Sequence, residues 1–223
     1  MDETYSWLKE AAGFLGIQDP DETLLQQAAP LADWIRTSCP MKYQLFSCSL
    51  VRNAGGTYLP ELDMILPGTL ASQMLGDSCR LLIVAATLGF SFDKELARLS
   101  HVSMADALML DALGSAWLER SLDALEPQLQ ARFAPLYMTD RFSCGYGDLP
   151  LTLQKELAEK LGLAARPGII VTDSCMMNPA KSVTAFLGLS HLPQPSRIRG
   201  CSVCQMKDRC GLRKKGKACY ENK

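Results

Sequence analysis

Histidine is nearly missing from this chain: among 223 residues only His101 and His191 occur. That excludes a three-histidine metal site and weighs against a histidine-based catalytic triad. His191, beside Ser190 at the end of an expected strand, reads as a structural histidine. The sequence also lacks a P-loop, a G-x-S-x-G elbow, an H-E-x-x-H helix and a dinucleotide-binding G-x-G-x-x-G. Hydrolase chemistry is therefore a poor expectation. No stretch reaches the roughly 18 apolar residues of a membrane span. The acidic start Met1-Asp2-Glu3 lacks the basic-then-apolar layout of a signal peptide. The expectation is a cytosolic protein without membrane contact. Internal repeats and low-complexity segments are absent as well.

What is present is a globular composition, 48% hydrophobic and 21% charged, with enough chain for one large domain or two small ones. The net charge of −1 hides an asymmetry. From Arg197 onward nine Lys/Arg face two Asp/Glu, which leaves 14 basic and 22 acidic groups in residues 1–196. A basic tail suits an acidic protein surface or nucleic acid. Here it overlaps a cysteine cluster, so a metal or a protein partner is expected before nucleic acid. Nine cysteines are many for a reducing compartment, and their number is odd, so metal ligands, reactive thiols or core residues are expected before disulfides. Cys39, Cys48, Cys79, Cys144 and Cys175 stand singly among apolar or small residues and read mostly as core fillers.

Apolar periodicity predicts a helix over 1–17 and a second one capped by Asp21 and stopped at Cys39-Pro40. Residues 43–51 read as a strand, 53–57 as a turn, and a short helix runs from about Pro67 to Gly76. Cys79 to Leu88 is the strongest strand, apolar almost throughout, as a strand covered on both faces should be. A helix over 92–99 precedes the longest one, 103–125, with Ser103 and Asp106 in a capping arrangement and Ala105, Leu108, Ala112, Ala116 and Leu122 as its apolar stripe. Pro127 and Pro135 bracket its exit. Asp148 is the expected cap of a helix through Leu153, Leu157 and Leu161. Strands are expected over 169–173 and 182–189, joined by a loop or wide hairpin.

Two stretches carry the chemistry. Arg141-x-Ser143-x-Gly145-Tyr146-x-Asp148-x-Pro150 combines a fixed cation, glycine and a phenol. Arginine clamps carboxylates, and glycine lets another molecule approach the backbone. Asp173-Ser174-x-Met176-x-Asn178-Pro179-x-x-Ser182-Val183 follows. Together with the strand exit Thr87-Leu88-Gly89 these stretches resemble the C-terminal reactivation domain of cobalamin-dependent methionine synthase, in its short stand-alone form. The resemblance runs from about Leu66 to His191. It departs at Gly147, where that family has proline, which should loosen the turn. It departs again at Phe186, Leu187 and Leu189, which replace an aromatic pair.

The resemblance implies an α/β (α+β) fold, a mostly antiparallel sheet flanked by helices, with residues 66–192 as its core. Residues 1–65, which match only loosely, read as an N-terminal helical and strand part of the same domain, and 193–223 as a basic cysteine-rich tail outside it. It implies S-adenosylmethionine binding by Arg141, Cys144, Gly145, Tyr146, Asp173 and, more weakly, Glu119. It also implies reductive methylation of a partner's cobalamin, with an external electron donor. The chain shows no D-x-H-x-x-G of its own, so the partner would be a corrinoid-binding methionine synthase or corrinoid methyltransferase acted on in trans.

In the tail, Cys201-x2-Cys204-x5-Cys210-x8-Cys219 has the density of a metal site. An iron–sulfur cluster is expected, with zinc the alternative. Two rival functions are a non-catalytic corrinoid-protein adaptor and a metal-binding redox or nucleic-acid module centred on the tail.

Overall fold

A computed structural model describes residues 3–17 and 19–195 of this chain. The helices are α1 (Glu3–Phe14), α2 (Glu22–Ser38), α3 (Thr69–Leu75), α4 (Phe90–Val102), α5 (Met104–Arg132) and α6 (Leu153–Lys160). The strands are β1 (Lys42–Ser49), β2 (Val51–Asn53), β3 (Gly56–Leu59), β4 (Met64–Leu66), β5 (Ser78–Thr87), β6 (Tyr137–Met138), β7 (Ile170–Val171), β8 (Met177–Asn178) and β9 (Ser182–Ser190). The fold is α+β, an antiparallel sheet flanked by helices. Its main sheet has the order β1-β5-β9-β6; β2-β3-β4 and β7-β8 form smaller sheets. Among the described residues no helix is long and apolar enough to cross a membrane.

The chain divides into two compact units, each assembled from segments distant in sequence. The first contains residues 1–46, 84–132 and 152–184, and within it α1, α2 and α4 pack on α5. Both helix starts carry the side chains the sequence announced. Asp21 accepts a hydrogen bond from the Leu24 amide at 2.8 Å, and Ser103 Oγ accepts one from the Asp106 amide at 3.3 Å. The α5 stripe differs from expectation by its register. Ala112, Ala116 and Leu122 are buried, but Ala105 and Leu108 face solvent, while Ala107 and Leu110 turn inward. Nor does Pro127 end the helix: α5 runs through it to Arg132. A mid-helix proline forfeits one hydrogen bond, but buried Leu122, Leu125 and Leu129 hold α5 on both sides of it. Packing overrides the local penalty. Trp7 of α1 meets Trp117 of α5, ring centroids 5.2 Å apart at 48°.

Among the described residues the second unit contains 47–83, 133–151 and 185–195. Its small sheet pairs Val51 with Tyr58 and Leu59 with Met64. The single strand expected over 43–51 is thus two, β1 and β2, and the turn after it opens a hairpin that continues into β4. Cys79 Sγ lies 3.3 Å from the Leu189 carbonyl, so the start of β5 stands beside the end of β9. In the first unit the Leu88 amide, past the end of β5, donates to the Lys181 carbonyl, just before β9. β5 and β9 therefore run antiparallel. Leu81 to Leu88 are all buried, as the unbroken apolar run requires.

Gly114 shows how tightly α5 is packed. A Cβ there would stand 2.3 Å from Cζ of Phe92, a fully buried ring. Alanine is the better helix former by about 1 kcal/mol, yet overpacking a filled core costs about 1–3 kcal/mol. The clash should win. Gly114→Ala is expected to lower stability by up to about 2 kcal/mol in guanidinium unfolding, and an unchanged or raised midpoint would show that the Phe92 ring gives way freely.

Candidate functional site

β6 and the residues after it form an edge against β9, all within the second unit. Tyr137 pairs with Ser190 and Met138 with Leu189. The Thr139 amide donates to the Gly188 carbonyl at 3.0 Å, and Thr139 Oγ1 accepts from the Gly188 amide at 2.9 Å. Phe142 then exchanges both backbone hydrogen bonds with Phe186, at 3.1 and 2.7 Å, and their rings stack at 5.3 Å. Between those anchors the register slips by one. Asp140 and Arg141 together stand opposite Leu187 alone, which is the two-against-one arrangement of a β-bulge. Bulges bend a strand and re-aim its side chains. Arg141 is placed by this bulge; it is half-buried, and its Nη1 is shielded from solvent.

The chain next makes a turn whose outer part is exposed. The Tyr146 amide donates to Ser143, the Leu149 amide to Tyr146, and the Gly145 amide to Leu149, at 2.9–3.1 Å. Cys144 and Leu149 are buried at its two ends, while 145–148 face solvent. Gly145 has φ +88° and Gly147 φ +55°, where a side chain is strained and where proline, with φ near −65°, cannot go. Gly147 therefore permits a hydrogen-bonded turn that proline could not adopt. The Gly145 and Tyr146 amides are spent inside it. On its outer part the half-exposed Tyr146 ring faces solvent.

Asp148 does not cap the helix that follows. α6 begins at Thr152 without a side-chain cap. The Asp148 carboxylate instead caps α3, accepting from the Thr69 amide at 2.6 Å, the Thr69 hydroxyl at 2.7 Å and the Leu70 amide at 2.9 Å. At the N-cap position of α3 stands Gly68, which has no side chain to do this itself. Any Cβ on Gly68 would meet the Asp148 carboxylate at 2.7 Å. The two residues fill one volume.

Asp173 and Glu119 belong to the first unit. Asp173 is almost fully exposed and pairs with Lys155, whose hydrogen bond lowers its carboxyl pKa. Glu119 is exposed on α5. A group that the local sequence did not announce lies on the same unit. Lys181 Nζ is 2.8 Å from both Asp111 Oδ1 and Ser115 Oγ, and sits 5.9 Å from the centre of the Phe92 ring. The only signal was the i, i+4 polar pair Asp111 and Ser115 within the otherwise apolar stretch 107–118 of α5. Asp93 beside it accepts from the Ala180 amide, and burial raises its carboxyl pKa.

Of the five lone cysteines within the described residues, Cys39, Cys48 and Cys144 are buried as expected, Cys175 is half-buried, and Cys79 is exposed. Burial pushes the Cys39 and Cys48 thiols up to about 11, which leaves them inert at neutral pH. Cys201, Cys204, Cys210 and Cys219 lie outside the described residues. Among the described residues no group of three His, Cys, Asp or Glu is placed to hold a metal ion.

No protein-family model matches this chain, and no curated protein matches its sequence. Among solved structures it is similar to the crystal structure of the MetH reactivation domain bound to AdoHcy, with a TM-score of 0.61 and 15% sequence identity. The match covers 97% of this chain and 83% of that one. The two share a fold.

The Asp148 cap has a titration that tests it. Hydrogen bonds from the Thr69 and Leu70 amides, and then from the Thr69 hydroxyl, hold its carboxyl pKa down from 3.8 to about 2. A folded value below the unfolded one means that the cap stabilises fully above about 3.8 and is lost as the pH falls through about 2. Carboxyl chemical shifts followed by NMR should place the Asp148 midpoint near 2; an ordinary midpoint would contradict the bonding described here.

Proposed function

We propose that this chain binds S-adenosylmethionine and takes part in the reductive reactivation of a cobalamin-dependent methionine synthase or a related corrinoid methyltransferase. One observation carries the reading: over 97% of its length the chain shares the fold of a domain crystallised with AdoHcy, the demethylated form of that methyl donor. The Arg141–Pro150 turn supports it chemically. S-adenosylmethionine carries a carboxylate, an ammonium, a sulfonium and an adenine. The Arg141 guanidinium pairs with the carboxylate, carbonyl oxygens around Cys144 and Gly145 accept from the ammonium, and the Tyr146 ring lies against the sulfonium or the base. Asp173 and Glu119, which the resemblance implies as further contacts, lie on the first unit.

The partner's cobalamin supplies the chemistry, accepting the methyl group once a donor's electron has reduced it. The residues of this chain bind and orient the methyl donor. The four tail thiols are proposed to hold an iron–sulfur cluster, with zinc the alternative.

A charged hydrogen bond contributes about 1.5–3 kcal/mol, so Arg141→Ala should weaken S-adenosylmethionine binding about ten- to hundredfold in calorimetric titration. No binding by the wild type, or equal binding by both proteins, sinks the proposal. For the tail, anaerobically purified protein is expected to contain iron and labile sulfide and to absorb visible light, and Cys204→Ser should lose both. A colourless protein with stoichiometric zinc would overturn the cluster.

A further inference from the structure

Besides the buried Cys144 and Leu149 at its ends, two anchors hold the turn that carries the proposed contacts, and they differ in kind. The first is Phe142, buried and bonded through its backbone and ring to Phe186. The second is Asp148. Between them Gly145, Tyr146 and Gly147 are exposed, so packing supplies little to fix their conformation, and two of the three are glycines, the residues with most backbone freedom to lose. The turn's own hydrogen bonds close it locally but do not fix where it points.

We infer that Asp148 is a positioning residue: by capping α3 it holds the Ser143–Leu149 turn in the shape that presents Tyr146 and the nearby carbonyl oxygens to S-adenosylmethionine. Three features converge on this. The carboxylate accepts three hydrogen bonds from Thr69 and Leu70. Position 68 carries no side chain, so the carboxylate takes the capping volume without competition. A Cβ on Gly147 would touch Leu70 Cδ2 at 3.2 Å, so the turn backbone lies directly on the first turn of α3. A capping carboxylate more commonly belongs to the helix's own N-cap residue. Here it arrives from 79 residues away, and the capping bonds join the turn to α3. A turn ordered before binding spares the ligand the cost of ordering it.

The inference rests on the reading of this turn as the S-adenosylmethionine contact, and the test separates the two. Amide hydrogen exchange of Gly145, Tyr146 and Leu149 without ligand reads the positioning; titration with S-adenosylmethionine reads its consequence. Asp148→Ala is expected to exchange these amides much faster and to bind about tenfold more weakly. Asp148→Asn keeps one acceptor and should recover part of both. Gly68→Ala keeps the carboxylate but pushes it off the cap, and should reproduce the Asp148→Ala behaviour. If only the α3 amides lose protection, while the turn and the affinity stay as in the wild type, Asp148 is a helix cap alone and the inference falls. If the wild type does not bind S-adenosylmethionine, the proposed function falls and the role in binding with it. The exchange data then decide by themselves whether Asp148 holds the turn.

Discussion

A strand buried on both faces can satisfy its backbone only through its neighbours. Residues 184–190 of β9 are all buried, so every amide and carbonyl there needs a partner on β5 or on the β6 edge. That constraint fixes the edge strand. It draws Thr139 onto Gly188 and Phe142 onto Phe186. It also explains Gly188, where a Cβ would stand 2.1 Å from Ser78 Oγ. The strand has no room for a side chain where its neighbours approach most closely.

The bulge at Asp140 and Arg141 is the one place where the edge departs from the register that β9 imposes. A regular strand would set Arg141 directly opposite a β9 residue. One additional residue lets the guanidinium leave that pattern while Phe142 is still delivered to its pocket. The exposed turn then returns to the body of its unit through Asp148. The candidate site is thus a short irregular excursion tied down at both ends, one tie apolar and one ionic. The apolar tie is indifferent to pH, whereas the ionic one depends on a carboxylate that stays charged far into acid.

Features written locally were legible in the sequence. The β5 run, the Asp21 and Ser103 caps, and the 141–150 turn are signalled by residues within a few positions of one another. What escaped was written at long range. Asp148 sits close enough to α6 to look like its cap, and only the distant Gly68 reveals the helix it serves. Pro127 looks like a stop until Leu125 and Leu129 are seen buried on either side of it. The α5 stripe was misplaced at its start because both Ala105 and Ala107 suit a helix, and small apolar residues do not reveal which face is covered. The pairing of Lys181 with Asp111 spans 70 positions and has no local signature beyond the polar pair on α5.

The tryptophan pair has a consequence for any optical measurement on this protein. The chain holds three tryptophans, and Trp7, Trp34 and Trp117 all fall in the first unit. All indole emission therefore originates in the unit that holds α5, and none in the unit that carries Arg141 and Asp148. Tyr58, Tyr137 and Tyr146 lie in that second unit. Tyr5 and Tyr43 lie in the first unit, so excitation shared by tyrosine samples both units, and only its difference from indole-selective excitation carries a contribution from the second.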